Sequence, residues 1–211
     1  MERRKIIRNK PIILGVTGAS GAVFARRMLQ FLEADPRVEK IHLVISASAL
    51  RLLRDELSLD IPKPTQLPSA LAGRPTRKTE YLRDSDIGAS IASGSYAVEG
   101  MVVIPCTTAC LAQIASGISD TLIERAADVC LKQGHKLILA VRDAPFNRIH
   151  LENMLRAQQA GAVIFPIIPT FYDRPKTIDD VVTQFCCRVL AMLDLEQGEQ
   201  FRWQGERALN H

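Results

Sequence analysis

Short apolar runs that alternate with amphipathic helical segments constrain this chain more than any other feature. Residues 12–17 form a β-branched apolar run that ends in Gly18-Ala19-Ser20-Gly21. The segment after it repeats apolar residues at Phe24, Met28, Phe31 and Leu32, which is a helical spacing. The pattern then recurs. Residues 41–46 predict a second strand and residues 48–57 a helix with Leu50, Leu53 and Leu57 on one face; further strands are expected at 101–105, 136–141 and 162–166. Helical segments at 111–116, 121–132 and 149–160 separate them, the last opening after Asn147 as cap and ending at Gly161. Thr177 followed by Asp180 is an acidic relative of the capping box, and it opens a final helix with the apolar stripe Val181, Phe185, Val189 and Met192. Strands that are short, apolar on both faces and separated by helices specify a parallel sheet covered on two sides. The expected fold is a doubly wound, Rossmann-like or flavodoxin-like α/β domain with helices on both faces.

A chain of 211 residues has room for one such domain. The reading places a basic N-terminal extension at 1–10, the α/β domain at 11–195 and a polar tail at 196–211. Four prolines between residues 60 and 78 (Pro62, Pro64, Pro68, Pro75) predict an irregular surface connection there, not a domain boundary. The formal charge of +4 is accounted for by Arg3, Arg4, Lys5, Arg8 and Lys10 against Glu2, so the remainder is neutral and offers no basic face for nucleic acid. No apolar stretch approaches the roughly 18 residues of a membrane helix, and residues 11–16 are too short for an export signal. Five cysteines, two of them adjacent (Cys186, Cys187), do not make a disulfide framework, which predicts a reducing, cytoplasmic home. Cys106 and Cys110 lack a second ligand pair at zinc spacing, and the four histidines have no triad partners, so no metal site is expected and the histidines read as structural.

In doubly wound folds ligands bind beyond the carboxyl ends of the strands. After the first predicted strand, glycines in 17–22 let the backbone approach a ligand, and the helix that follows is expected to present free N–H groups suited to a phosphate. The second strand ends at Ser46, where a dinucleotide site usually carries an acidic residue for the ribose; this favours a mononucleotide such as FMN. Cys106-Thr107-Thr108-Ala109-Cys110 follow the next strand, small and hydroxyl-bearing residues able to surround a flat ring. Arg125 and Lys132 share one helix face, with Asp128 able to pair with either. Arg142 and Asp143 follow the fourth strand, Tyr172 the proline-rich exit of the last, and Arg188 interrupts the final apolar helix. These cations suggest a phosphate-bearing substrate beside the nucleotide.

Thr17-Gly18-Ala19-Ser20-Gly21-Ala22, Ser93-Gly94-Ser95, Cys106 to Cys110, Glu124 to Val129, Leu131-Lys132, Ile149 to Met154 and Phe171-Tyr172, in this order and spacing, resemble the flavin prenyltransferase (UbiX-like) family over residues 12–193. The resemblance implies transfer of a dimethylallyl group from dimethylallyl monophosphate to N5 and C6 of reduced FMN, without a metal, giving prenylated FMN for a UbiD-type decarboxylase. It implies FMN contacts at Gly18, Ala19, Ser20, Ser46, Thr107, Thr108, Ala109, Cys110 and Arg142. It implies a prenyl-phosphate group of Arg125, Lys132, Tyr172 and Arg188, and catalytic roles for Glu56, Ser20 and Lys132. Glu56 would take the C6 proton with Ser20 as relay, although its own sequence context reads as a surface helix position. A homododecamer with sites built where subunits meet is also implied.

Two departures stand out. The family reads Arg-Glu-x-Pro where this chain has Arg142-Asp143-Ala144-Pro145, a carboxylate one methylene shorter, and residues 48–50 lack a lysine common in the family. A flavin-dependent cysteine decarboxylase of the same fold is the nearest enzymatic alternative, but its substrate clamp is missing from 144–154 and its histidine from 48–57. A non-catalytic flavin carrier would have no need of a second phosphate site.

Overall fold

The computed structural model describes residues 10–59 and 63–202. Most of the basic extension (1–9), the end of the tail (203–211, with His211) and residues 60–62 lie outside the described residues. Two compact units divide the chain, the first ending at Ile167 and the second beginning at Ile168.

The first unit is built on β1 (Ile12–Val16), β2 (Ile41–Ile45), β3 (Thr79–Arg83), β4 (Gly100–Cys106), β5 (Lys136–Val141) and β6 (Val163–Ile164), all paired in parallel in the order β3-β2-β1-β4-β5-β6. This is the Rossmann strand order, and its direction reverses between β1 and β4. Every residue of β1 and β2 is buried, which is what strands covered on both faces require. The helices are α1 (Ala22–Ala34), α2 (Ala47–Leu57), α3 (Leu67–Ala72), α4 (Thr108–Ala115), α5 (Leu122–Gln133) and α6 (Arg148–Gln159). Ile13, Val44, Met101, Val103, Leu137 and Leu139 pack in one cluster with Leu111 of α4, Ile123 and Ala127 of α5 and Ala157 of α6. The opposite side chains of the strands, such as Ile12, Leu14 and Leu43, are equally buried, as are Met28, Leu29 and Leu32 of α1.

Asn147 caps α6 by accepting the His150 amide at 2.9 Å, as expected from sequence. The connection between 60 and 78, expected to be irregular, holds a 3-10 turn at Pro64–Gln66 and the short helix α3, in which Pro68 sits in the first turn where its missing N–H costs nothing. Strand β3 was not expected at all. It is the sheet edge, its residues half-buried or exposed, so Thr-Glu-Tyr-Leu-Arg carries none of the continuous apolar signal of an inner strand. The Glu33 carboxylate accepts the Arg77 and Lys78 amides at 3.1 Å each and so fixes the start of that strand. Among the histidines, His42 is 1% exposed with Nε2 2.8 Å from the Tyr96 hydroxyl, a structural setting.

The second unit contains α7 (Ile178–Met192), opened by the capping box of Thr177 and Asp180. Phe185 and Val189 are buried as the stripe predicts; Met192 is exposed, and Val182, Cys186 and Leu190 complete the buried face instead, one residue round the helix. The polar tail begins as ordered chain: the Gln184 side-chain amide donates to the Glu199 carbonyl and accepts the Phe201 amide, both at 2.8 Å.

Candidate functional site

Thr17 joins the two strands at the point where the sheet order reverses. Its hydroxyl donates to the Pro105 carbonyl at 2.9 Å and accepts the Thr107 amide at 2.8 Å, fastening the end of β1 to the end of β4. Pro105 has no N–H for the ladder and the β4–β5 register shifts between Val103 and Cys106, so this side chain supplies what the strand ends lack. Thr107 then caps α4, its hydroxyl accepting the Cys110 amide at 3.1 Å. The first turn of α4 leaves further amides without intrahelical partners beside Thr108 and Ala109. Across the same end of the sheet Ser46 caps α2, accepting the Ala49 amide at 3.2 Å, and its hydroxyl lies 3.1 Å from that of Ser48.

Gly18 lies so close to Ser48 that an added Cβ would overlap the Ser48 hydroxyl and stand 2.6 Å from its Cβ. The loop therefore needs a glycine here for reasons of space. Gly21 needs one for its backbone, at φ +121°.

The start of α1, where the sequence predicts free N–H groups for a phosphate, is instead occupied from within the protein. The Glu56 carboxylate, reaching over from α2, accepts the Gly21 amide at 2.9 Å and the Ala22 amide at 2.8 Å. An internal carboxylate thus fills the position a phosphate would take, because a charged acceptor is favoured at a helix N-terminus whether it comes from ligand or protein. Burial works against ionisation of Glu56. The Ser20 hydroxyl, the Ala22 and Gly21 amides and the charge of Arg142 together outweigh it and hold the carboxyl below its ordinary value.

Arg142 leaves β5 directly, and its Nε is buried with no hydrogen-bond partner among the described residues. A buried guanidinium nitrogen without a partner is costly, and an anionic ligand would satisfy it. Asp143, the shortened carboxylate, accepts the Ala144 amide at 2.9 Å and, more weakly, the Thr108 hydroxyl at 3.4 Å, so it faces α4. Cys110 is 5% exposed; a hydrogen bond with Cys106, together with burial, pushes its thiol well above the ordinary range.

A cavity of about 210 Å³ opens among Thr17, Ser46, Ser48, Thr107, Ala109 and Cys110. Asp84 and Glu124 also border it. Asp84 directly follows the edge strand β3 and carries no sequence signal of its own. Its carboxylate accepts the Ile123 amide at 3.0 Å, its carbonyl accepts the Leu122 amide at 2.7 Å, and burial raises its pKa. The start of α5 is thus closed to anions in the same way as that of α1.

The structure gathers Gly18, Ala19, Ser20, Ser46, Glu56, Thr107, Thr108, Ala109, Cys110 and Arg142 at the carboxyl ends of β1, β2, β4 and β5. Of the expected phosphate group, Arg125 and Lys132 lie in the first unit. Arg125 stands in the first turn of α5 and Lys132 in the last, where the chain enters the amino end of β5. Lys136 to Val141 spans about 17 Å of strand, so Lys132 and Arg142 sit at opposite ends of the sheet. Tyr172 (73% exposed) and Arg188, on the exposed side of α7, belong to the second unit. Among the described residues no group of three or more His, Cys, Asp or Glu is arranged to hold a metal ion, and no helix is long and apolar enough to cross a membrane.

A family model described as flavoprotein matches residues 1–190. The chain is 38% identical over 192 residues to the flavin prenyltransferase UbiX of Methanocaldococcus jannaschii, covering 91% of this chain and 97% of that one. The crystal structure of AnUbiX (PadA1) in complex with FMN and dimethylallyl pyrophosphate matches with a TM-score of 0.82 at 38% identity, over 94% of this chain and 99% of that one. A dodecameric FMN-dependent UbiX-like decarboxylase from Escherichia coli O157:H7 matches with a TM-score of 0.81 at 40% identity, over 92% and 100%. The FMN-dependent cysteine decarboxylase SpaF, at 20% identity and a TM-score of 0.55, shares the fold alone.

Proposed function

The chain belongs to the flavin prenyltransferase family, and on that premise we propose that it joins a dimethylallyl group from dimethylallyl monophosphate to N5 and C6 of reduced FMN. The observation that carries this reading is the Glu56 carboxylate, ionised beside Ser20 and within the field of Arg142 at the carboxyl end of the sheet. Ring closure at C6 requires a proton acceptor, and this carboxylate is the group we assign to it.

The residues present fit an FMN. Gly18, Ala19, Ser20 and Ser46 offer close backbone and hydroxyl groups, the first turn of α4 offers the free amides of Thr108 and Ala109 beside Thr107 and Cys110, and Arg142 offers its unpartnered Nε. The electron-rich reduced flavin supplies the nucleophile when bound. Because Glu56 already closes the start of α1, we assign the flavin phosphate to the α4 side, between Ser46 and Thr107–Cys110. Glu56 accepts the aromatic proton, directly or through Ser20. Arg125, Lys132, Tyr172 and Arg188 bind the leaving phosphate, where preorganised positive charge and a phenol lower the barrier to breaking the allylic C–O bond.

Lys132 lies at the amino end of the sheet unit, away from the loops proposed to hold the flavin. The cavity of about 210 Å³ is also smaller than the roughly 300–1,000 Å³ that encloses a ligand of this size. Both facts support a site completed by a neighbouring subunit, in a homo-oligomer that we take to be a dodecamer like the relative from Escherichia coli. The product would pass to a UbiD-type decarboxylase. The free cysteines fit a cytoplasmic setting.

Anaerobic incubation with reduced FMN and dimethylallyl monophosphate, followed by mass analysis of the released flavin, tests the proposal. A flavin heavier by one five-carbon unit is expected. A flavin of unchanged mass, with the diphosphate donor as well, would refute it.

A further inference from the structure

The Arg125 guanidinium is anchored on two sides. Its Nε donates to the Ala92 carbonyl at 3.1 Å and its Nη1 donates to the Asp128 carboxylate at 3.0 Å. Both side chains of the ion pair remain about a third exposed, so the contact does not serve to bury a charge. These two contacts leave the Nη2 hydrogens for an anion. The turn that supplies the carbonyl continues along the same helix: a Cβ on Gly94 would stand 3.4 Å from Cε of Lys132 and 2.6 Å from the amide nitrogen of Gln133. Residues 92–94 therefore lie against α5 from Arg125 to Lys132, a distance of about 10 Å along the helix.

We infer that Asp128 and the 92–94 turn are positioning elements that hold Arg125 ready for the phosphate of the prenyl donor. The inference rests on the proposed function and adds to it two groups that do not themselves touch substrate. A free arginine side chain has many rotamers to lose, and tethering it before the ligand arrives removes part of that ordering cost from binding. A carboxylate beside a phosphate has the opposite effect, through repulsion. The two effects separate by substitution: Asp128→Asn keeps an oxygen for Nη1 and removes the charge, whereas Asp128→Ala removes both.

The experiment measures KM and kcat for dimethylallyl monophosphate with the full chain and saturating reduced FMN, together with FMN affinity and melting temperature. If tethering dominates, Asp128→Ala raises KM about fivefold, the span of an exposed ion pair. Asp128→Asn stays near the unmodified protein, and FMN affinity and melting temperature are unchanged in both. A KM for Asp128→Ala at or below that of the unmodified protein would show that repulsion dominates and overturn the inference while leaving the proposed function intact. A KM rise in Asp128→Ala accompanied by equal loss of FMN binding would also overturn it, since that marks general damage. Absence of any prenylated flavin from the unmodified protein would overturn the function and this inference with it.

Discussion

Replacing Glu56 separates the contact it makes with the start of α1 from the proton-accepting role proposed for it. Glu56→Ala leaves the Gly21 and Ala22 amides without their protein acceptor. Loss of a side-chain acceptor at a helix start costs about 1 kcal/mol, and the exposed setting keeps the added dipole contribution near the lower end of its range of about 0.3–1 kcal/mol. For a chain of this size the melting temperature falls by about 2–4 °C per kcal/mol. Glu56→Gln retains one oxygen for an amide but no charge, and should fall between the two. Because the folded pKa of Glu56 lies below its ordinary value of 4.5, the stabilisation is complete above that value and disappears as pH falls through the lower folded one. Thermal melts of the three proteins at neutral pH and across the acid range measure the gap. Prenyl transfer, assayed separately, should fall by about 10²–10⁴ in both variants, the usual contribution of a positioned base. An alanine variant that melts with the unmodified protein at neutral pH would refute the capping role. A gap that persists undiminished in acid would refute the ionised state.

Thr17→Val strands the Thr107 amide and weakens the satisfaction of the Pro105 carbonyl, so it should cost about 1–3 kcal/mol in urea unfolding with an unchanged m-value. Gly18→Ala places a methyl group against Ser48 and should weaken FMN binding, read by quenching of flavin fluorescence; Ser48→Gly in the same chain should recover part of it. Burial, aided by the charge of Lys40 and opposed by Glu80, lowers the pKa of His42, which also faces Tyr96. The unfolded chain therefore takes up the proton first, and stability should be full above the ordinary value of 6.5 and decline below it. His42→Asn should flatten that slope in melts between mildly acid and mildly alkaline pH.

What could be read in the sequence follows from where each signal originates. Inner strands such as β1 and β2 announce themselves because both faces must be apolar, and the helix caps Asn147 and Thr177 because a short polar side chain does local work. Strand β3 was silent because an edge obeys no such rule, and Asp84 was lost with it. The loops at the strand ends can be named from sequence because the doubly wound plan puts ligands there whatever their residues. The partner of Glu56 could not be read, since Gly21 and Ala22 are 35 and 34 residues away and any acceptor would satisfy their amides. Nor could sequence choose between Arg125 and Lys132 as the partner of Asp128; packing of the Ala92 carbonyl on the same guanidinium decides for Arg125.

Lys132 and Arg142, set at opposite rims of one sheet, have a genetic consequence. If each chain lends its lysine to a neighbour's flavin, then a chain crippled at Glu56 and a chain crippled at Lys132 carry their defects into different sites. Unfolded together and refolded as a mixture, two inactive proteins should rebuild some intact centres and regain turnover, whereas either alone stays inert.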